Sequence, residues 1–197
     1  MNISPAIFLY SLIPVFIYPS SLAFNSTSTK QMSDLSSKKL VFSFEEENIE
    51  KKWIVVNDNV MGGRSKGGFD FKNNKLIFSG NTNTNGGGFS SIRTIPIDFY
   101  FKDKTGLHIR YKGDARTYKL GVRMEGKSVS YRTNFDTGNG WQEAMIPFEN
   151  MDVSWRGRPL SKAEHPLQKS KIRSIEFMIY DKQDGPFKLQ VDWIKSY

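Results

Sequence analysis

At 197 residues, 38% hydrophobic and 14% aromatic, the chain suits one folded domain plus a modest tail, and its composition excludes a disordered polymer. It contains no cysteine, which removes disulfides, thiolate nucleophiles and cysteine-ligated zinc together. The net charge of +8 admits an anionic partner, but the basic residues are scattered and form no long block, so a dedicated nucleic-acid arm is not expected.

Residues 1–23 carry no charge, and an apolar run from Ile7 to Tyr18 precedes Ser21-Leu22-Ala23, a small-x-small cleavage pattern. The unbroken apolar span falls short of the roughly 20 residues a transmembrane helix needs, so a secretory-type leader is expected. Residues 24–39 are rich in Ser, Thr and Lys and read as a disordered linker. Phe24 directly after the cleavage pattern offers an alternative, a two-part leader for a plastid or another organelle. The folded domain is expected over residues 40–197.

Near its start, Trp53 to Val56 lead into Asn57-Asp58-Asn59 and then into two glycine pairs, Gly62-Gly63 and Gly67-Gly68, around Arg64. Paired glycines exclude a helix, since each costs about 1 kcal/mol relative to alanine there. The segment is either a tight corner or a loop that grips a ligand.

From there, alternating apolar positions recur: Leu76 and Phe78; Leu107, Ile109 and Tyr111; Tyr118 to Met124; Val129 to Phe135; Ile175 to Ile179; Phe187, Leu189, Val191 and Trp193. Turn residues separate them, among them Asn73-Asn74, Lys112-Gly113-Asp114 and Glu125-Gly126. This pattern predicts an all-β sandwich or barrel of antiparallel strands. The alternation lapses from Met151 to Ser170, which predicts a long irregular surface connection of the kind that is often functional.

Catalytic groupings are thin. His108 falls on the polar side of an alternating strand and His165 stands before Pro166, neither beside a nucleophile nor at metal-ligand spacing. Asp58 or Asp181 could serve a structural calcium, but no EF-hand-like ligand run exists. The glycine-rich segments match neither a Walker loop nor a dinucleotide fingerprint. Of the tryptophans, Trp193 is in register with a core face, and Trp155 in the irregular connection is the candidate for surface recognition.

Taken in order, the segments Asn57-Asp58-Asn59-Val60-Met61-Gly62-Gly63-Arg64-Ser65, Gly86-Gly87-Gly88-Phe89-Ser90-Ser91-Ile92-Arg93, Tyr111-Lys112-Gly113-Asp114-Ala115-Arg116-Thr117-Tyr118, Trp141-Gln142, Ile146-Pro147-Phe148, Arg156-Gly157-Arg158 and Asp181 to Phe187 resemble the complex I intermediate-associated protein 30 family. The resemblance covers residues 40–197. It implies a galactose-binding-like jelly-roll β-sandwich and a non-enzymatic, chaperone-like assembly factor without cofactor or metal. The implied partners are protein subunits or assembly intermediates of a membrane electron-transport complex, respiratory or photosynthetic. The chain departs from the family pattern at Ala115, where glycine is common.

No catalytic residue transfers from such a family. The candidate signature is Asn57, Asp58, Met61, Gly62, Gly63, Arg64, Arg93, Asp114, Arg116, Trp155, Arg156 and Asp181. Its polar members are expected at turns or strand ends, where they form either a network of arginine–carboxylate pairs or a binding edge. In this reading the corner from Asn57 to Gly68 shapes the sandwich and holds Arg64 in place. An exported carbohydrate-binding module is the alternative, and its mark would be exposed aromatic rings on a sheet face.

Overall fold

The computed structural model describes Met1 and residues 38–197; the leader and linker read over residues 1–39 lie outside these, apart from Met1, Lys38 and Lys39. Among the described residues, thirteen strands form two antiparallel sheets. One contains β1 (Lys39–Phe42), β3 (Lys66–Phe71), β4 (Leu76–Thr82), β6 (Gly106–Lys112), β9 (Gln142–Pro147) and β13 (Gly185–Ser196), in the order β3-β4-β13-β6-β9 with β1 also on β13. The other contains β2 (Trp53–Asn57), β5 (Ser90–Thr94), β7 (Thr117–Met124), β8 (Ser130–Asp136), β10 (Asp152–Trp155), β11 (Arg158–Pro159) and β12 (Ile172–Ile179), in the order β11-β10-β8-β7-β12-β5-β2. This is the antiparallel β-sandwich that the alternating pattern predicts, in the jelly-roll form that the family resemblance implies.

The core lies between the sheets, where the period-two positions of both meet. Leu76, Phe78, Leu107, Ile109 and Leu189 from the first sheet face Ile92, Tyr118, Leu120, Ile175 and Phe177 from the second, all fully buried. Removing this apolar surface from water is the main stabilising term. Aromatic contacts add shape: Phe78 packs edge-on against Phe187 at 4.8 Å, and Tyr111 against Phe135 at 4.9 Å. The β3–β4 hairpin turns at Asn73 and Asn74, whose φ angles of 52° and 56° are those of a two-residue type I′ turn.

Two expectations are corrected and one, that for His108, is sharpened. Trp193 is not a core residue. β13 carries an extra residue at Asp192, which shifts its register on β6 between Val191 and Trp193, so Ile194 takes the inward position. Trp193 is turned outward, with Lys195 4.0 Å above its ring.

His108 does point away from the core, but it is only 6% exposed. Trp193 covers it edge-on at 4.8 Å, and its Nε2 lies 2.9 Å from Glu143. Burial first, and then Lys38, hold its pKa below the usual imidazole range against the opposing pull of Glu143.

The connection from Met151 to Ser170 is not wholly irregular. It begins with the β10–β11 hairpin, which pairs with β8 and extends the second sheet. The alternation misses it because only Val153 of β10 is buried.

Candidate functional site

Strand register gathers five loops at one end of the sandwich. Asn57 pairs with Ser90, Ser90 with Ile179, Ile179 with Tyr118 and Tyr118 with Phe135, so the loops 58–65, 83–89, 113–116, 137–141 and 180–184 all leave from the same side. At this end the structure brings together Asn57, Asp58, Met61, Gly62, Gly63, Arg64, Asp114, Arg116 and Asp181.

Asp58 is fully buried and is the hub of the corner. Its carboxylate accepts the backbone N–H of Ser65 at 2.9 Å, the Ser65 hydroxyl at 2.6 Å, and the N–H groups of Gly88 and Phe89 at 2.6 and 3.2 Å. Burial alone would push its pKa up. The bonds from the Ser65 side chain, Gly88, Ser65 and Phe89 outweigh that and hold it below the ordinary value of 3.8.

The glycines follow from this hub. A Cβ on Gly63 would lie 2.2 Å from the Asp58 Cγ, and one on Gly87 would lie 2.3 Å from its Oδ2. Two backbones therefore approach one carboxylate more closely than any side chain allows. Asn57 joins the two sheets beside it, donating to the Gly67 carbonyl at 3.1 Å and accepting from the Ser90 hydroxyl at 2.6 Å.

Arg116 and Asp181 form a second hub. Nε and Nη2 of Arg116 donate to the two carboxylate oxygens of Asp181 at 2.8 and 2.6 Å, a bidentate pair. The guanidinium also donates to the carbonyls of Gln183, Gly185 and Pro186 and to the Thr82 hydroxyl. The Asp181 hydrogen bond, opposed by burial, raises the Arg116 pKa. Asp181 is lowered because Arg116 overcomes the effect of burial.

Asp114 braces the same end, accepting from the Tyr118 hydroxyl at 3.1 Å and the Lys188 N–H at 2.6 Å. The two hubs meet through Ser65, whose hydroxyl accepts the Asn83 N–H at 3.0 Å, one residue from Thr82. The oxygens of Asp58 and Asp181, the candidate calcium ligands, are thus engaged by N–H, hydroxyl and guanidinium donors, which a cation would have to displace. Among the described residues, no group of three or more His, Asp or Glu side chains is placed to hold a metal.

Other signature residues fall elsewhere. Gly62 closes the 3-10 turn Asp58–Met61 at a φ of 86°. Val60 and Met61 are exposed at its tip. Arg64 is exposed and, among the described residues, has no hydrogen-bond or ion-pair partner, so the corner presents it without holding it.

Arg93 is neither at a turn nor at a strand end; it lies within β5 on the outward face, opposite Glu176. Trp155 and Arg156 are at the opposite end, at the tip of the β10–β11 hairpin, where Arg156 stacks 5.1 Å above the 40%-exposed Trp155 ring. Here too the turn is left-handed, with φ of 48° at Arg156 and 80° at Gly157. Beyond the hairpin, Tyr131, Phe148, Met151, Lys162, His165 and Lys169 line a cavity of about 470 Å³.

Sequence reasoning missed the hydroxyls of Thr82, which accepts from Arg116, and of Thr137, which donates to the Arg116 carbonyl at 2.8 Å, and the half-buried cations Lys119, Arg123 and Arg132. The hydroxyls carry no local signal. The cations stand at the polar positions of β7 and β8, where alternation marks them only as outward-facing.

The comparisons with known proteins agree with this architecture. The family model described as complex I intermediate-associated protein 30 matches residues 42–191. The chain is 29% identical over 181 residues to the mouse (Mus musculus) mitochondrial complex I intermediate-associated protein 30, covering 79% of this chain and 55% of that protein. It is 29% identical over 98 residues to a probable Caenorhabditis briggsae counterpart, also named mitochondrial, covering 46% of this chain and 28% of that one. It thus spans about half the length of the mouse relative and less of the nematode one.

Among solved structures, the family 11 carbohydrate-binding module of a Clostridium thermocellum cellulosomal cellulase superposes with a TM-score of 0.59 at 17% identity, covering 81% of this chain and 93% of that one. At that identity the likeness is one of fold. The relatives' mitochondrial names correct the location expected from the leader: they point to an organelle in place of the secretory route, and they lend no support to a plastid. By the match over residues 42–191, the chain belongs to the complex I intermediate-associated protein 30 family.

Proposed function

We propose that this protein is a non-enzymatic, mitochondrial assembly factor whose β-sandwich, residues 40–197, binds protein subunits or intermediates of respiratory complex I close to the membrane. The observation that carries this reading is the family membership over residues 42–191. The geometry adds to it. Asp58, Arg116 and Asp181, the polar groups best suited to chemistry, are all engaged in bonds within the fold. The corner they brace shows Val60, Met61 and Arg64 to solvent, an apolar pair beside a free planar donor suited to protein recognition.

The carbohydrate-binding alternative rests on fold likeness, and fold is a weak warrant for function. The outward positions of β5, β12, β7 and β8 carry no aromatic ring on which a sugar could stack, and the rings outside the other sheet, Trp193 and Trp141, have cations over them, Lys195 on the first and Arg110 and Lys75 on the second.

The test is affinity purification of the tagged chain from mitochondria of the native organism. Complex I subunits are expected among the co-purifying proteins, and their absence would overturn the reading. Arg64→Ala and Arg156→Ala probe opposite ends of the sandwich. Each should leave the thermal melt unchanged, because neither side chain bonds to the fold. Loss of capture in one variant identifies the binding end; undiminished capture in the double variant removes both residues from recognition.

A further inference from the structure

The outward face of the seven-stranded sheet collects cations around one carboxylate. In register across the strands lie Arg93 on β5, Glu176 on β12, Gly121 on β7 and Arg132 on β8. Lys119 and Arg123 flank Gly121 along β7, on the same face. All four cations are half-buried, and Glu176 is 2% exposed beneath them.

Arg132 crosses β7 to reach Glu176, with Nε and Nη2 both 2.8 Å from Oε2. The crossing needs Gly121, since a Cβ there would lie 2.8 Å from the Arg132 Cγ. The carboxylate is therefore already engaged by Arg132. Arg123 is held by the Ser130 hydroxyl and the Ser128 carbonyl, and Lys119 by the Asn134 side-chain carbonyl, all neutral partners. Arg93, among the described residues, has no hydrogen-bond or ion-pair partner.

The crowding is felt by the groups themselves. Burial first, then Arg132, keeps the Lys119 pKa below its ordinary value against the pull of Asp152. Burial does the same to Arg123, with Arg93 and Arg132 adding to it against the pull of Glu176.

We propose that this face, between Arg93, Lys119, Arg123 and Arg132, is a docking surface for an extended acidic segment of a partner protein. The inference rests on the reading of the chain as a protein-binding assembly factor and names the chemistry of its partner. Charge complementarity carries it: four cations share this stretch with two carboxylates, and both are engaged, Glu176 by Arg132 and Asp152, in register with Arg132 on β10, by Lys162 at 3.1 Å.

The dimensions fit. Arg93 and Arg132 are three strand intervals apart, about 14 Å, and Lys119 and Arg123 are about 13 Å apart along β7. An extended chain turns every second side chain to the same side at about 7 Å intervals, so alternate carboxylates of one short segment can meet cations across either span. Single-stranded nucleic acid is less suited, because no ring on this face offers a stacking platform. A bilayer is less suited as well, because Lys119, Arg123 and Arg132 are held to the neighbouring Asn134, Ser130 and Glu176 side chains and do not extend toward a flat headgroup layer.

The experiment titrates a fluorescently labelled oligoglutamate peptide into the full chain and into two variants of equal charge change. Arg93→Gln/Lys119→Gln lies on the face; Lys51→Gln/Lys102→Gln lies off it, at exposed positions. Wild type and the off-face variant should bind alike, and the on-face variant about tenfold more weakly at an unchanged melting temperature. Lys119→Gln alone serves if the double substitution unfolds the chain.

Equal weakening in both variants overturns the proposal, as does tighter binding of a single-stranded oligonucleotide or of phosphatidylcholine–phosphatidylserine vesicles than of the peptide. Undiminished capture of complex I subunits from mitochondria by the on-face variant overturns it too. If the wild-type chain captures no complex I subunit, the assembly-factor reading falls, while the peptide titration still decides whether this face takes an acidic chain.

Discussion

Asp58 keeps a charge in a fully buried position because four donors converge on it from two loops. Replacing it by Asn keeps the shape but turns an amide donor toward N–H groups that need an acceptor. Asp58→Asn should therefore cost about 2–4 kcal/mol, measured by urea unfolding, because buried donors left without an acceptor cost about 1–3 kcal/mol each. A cost near zero would mean that the hub does not hold the corner.

The same residue sets the acid limit of stability, together with Asp181. Both have folded pKa values below 3.8. The stability they contribute is fully present above the unfolded value and is lost as pH falls through the folded values. The melting temperature should begin to decline as pH falls below about 6.5, where the unfolded chain protonates His108 more readily than the folded one does, and fall further below about pH 4 as these carboxylates protonate. In Asp58→Asn that acid limb should be shallower, because one of the two linked carboxylates is gone.

At the scale of elements, alternation located most of the core strands, and their buried positions agree with it from Leu76 to Val191. It failed where the backbone departs from simple pleating. The extra residue in β13 reverses inside and outside after Val191, and no local composition announces a bulge. β10 offers no period to detect, because this short strand buries one side chain, Val153.

Ala115 is a further case. The departure from glycine falls in a turn where φ is 66°, a left-handed conformation that costs an alanine about 1 kcal/mol or more. Ala115→Gly should raise stability by about 0.5–1 kcal/mol in a urea titration, relief of strain exceeding the added freedom of the unfolded chain. A loss of stability would mean that the turn is not strained.

For the whole molecule, the sandwich divides the signature residues among two ends and one sheet face. Nine of the twelve gather at the loop end, Trp155 and Arg156 lie at the other, and Arg93 lies on the face between. A single binding surface cannot include them all. The hubs also tie the two sheets together, through Asn57 between β3 and β5 and through Arg116 between β7 and the start of β13. Residues 38–197 expressed without the preceding segment should consequently melt in one transition at the temperature of the full chain; two transitions in calorimetry would show sheets that unfold separately.

By itself the sequence determined the fold class, most strands, turns such as Asn73-Asn74 and the family, because all of these are written in short-range order: a period of two, paired asparagines, motifs in succession. Only the tertiary structure decided which polar residues are fixed and which are free. Arg116 meets Asp181 across 65 positions of chain, and Asp58 meets Gly88 across 30. Arg64, in the same motif as Asp58, has no hydrogen-bond or ion-pair partner among the described residues. Strand register sets those distances, and it depends on how whole strands pair and where a bulge interrupts them, which no local stretch of sequence contains.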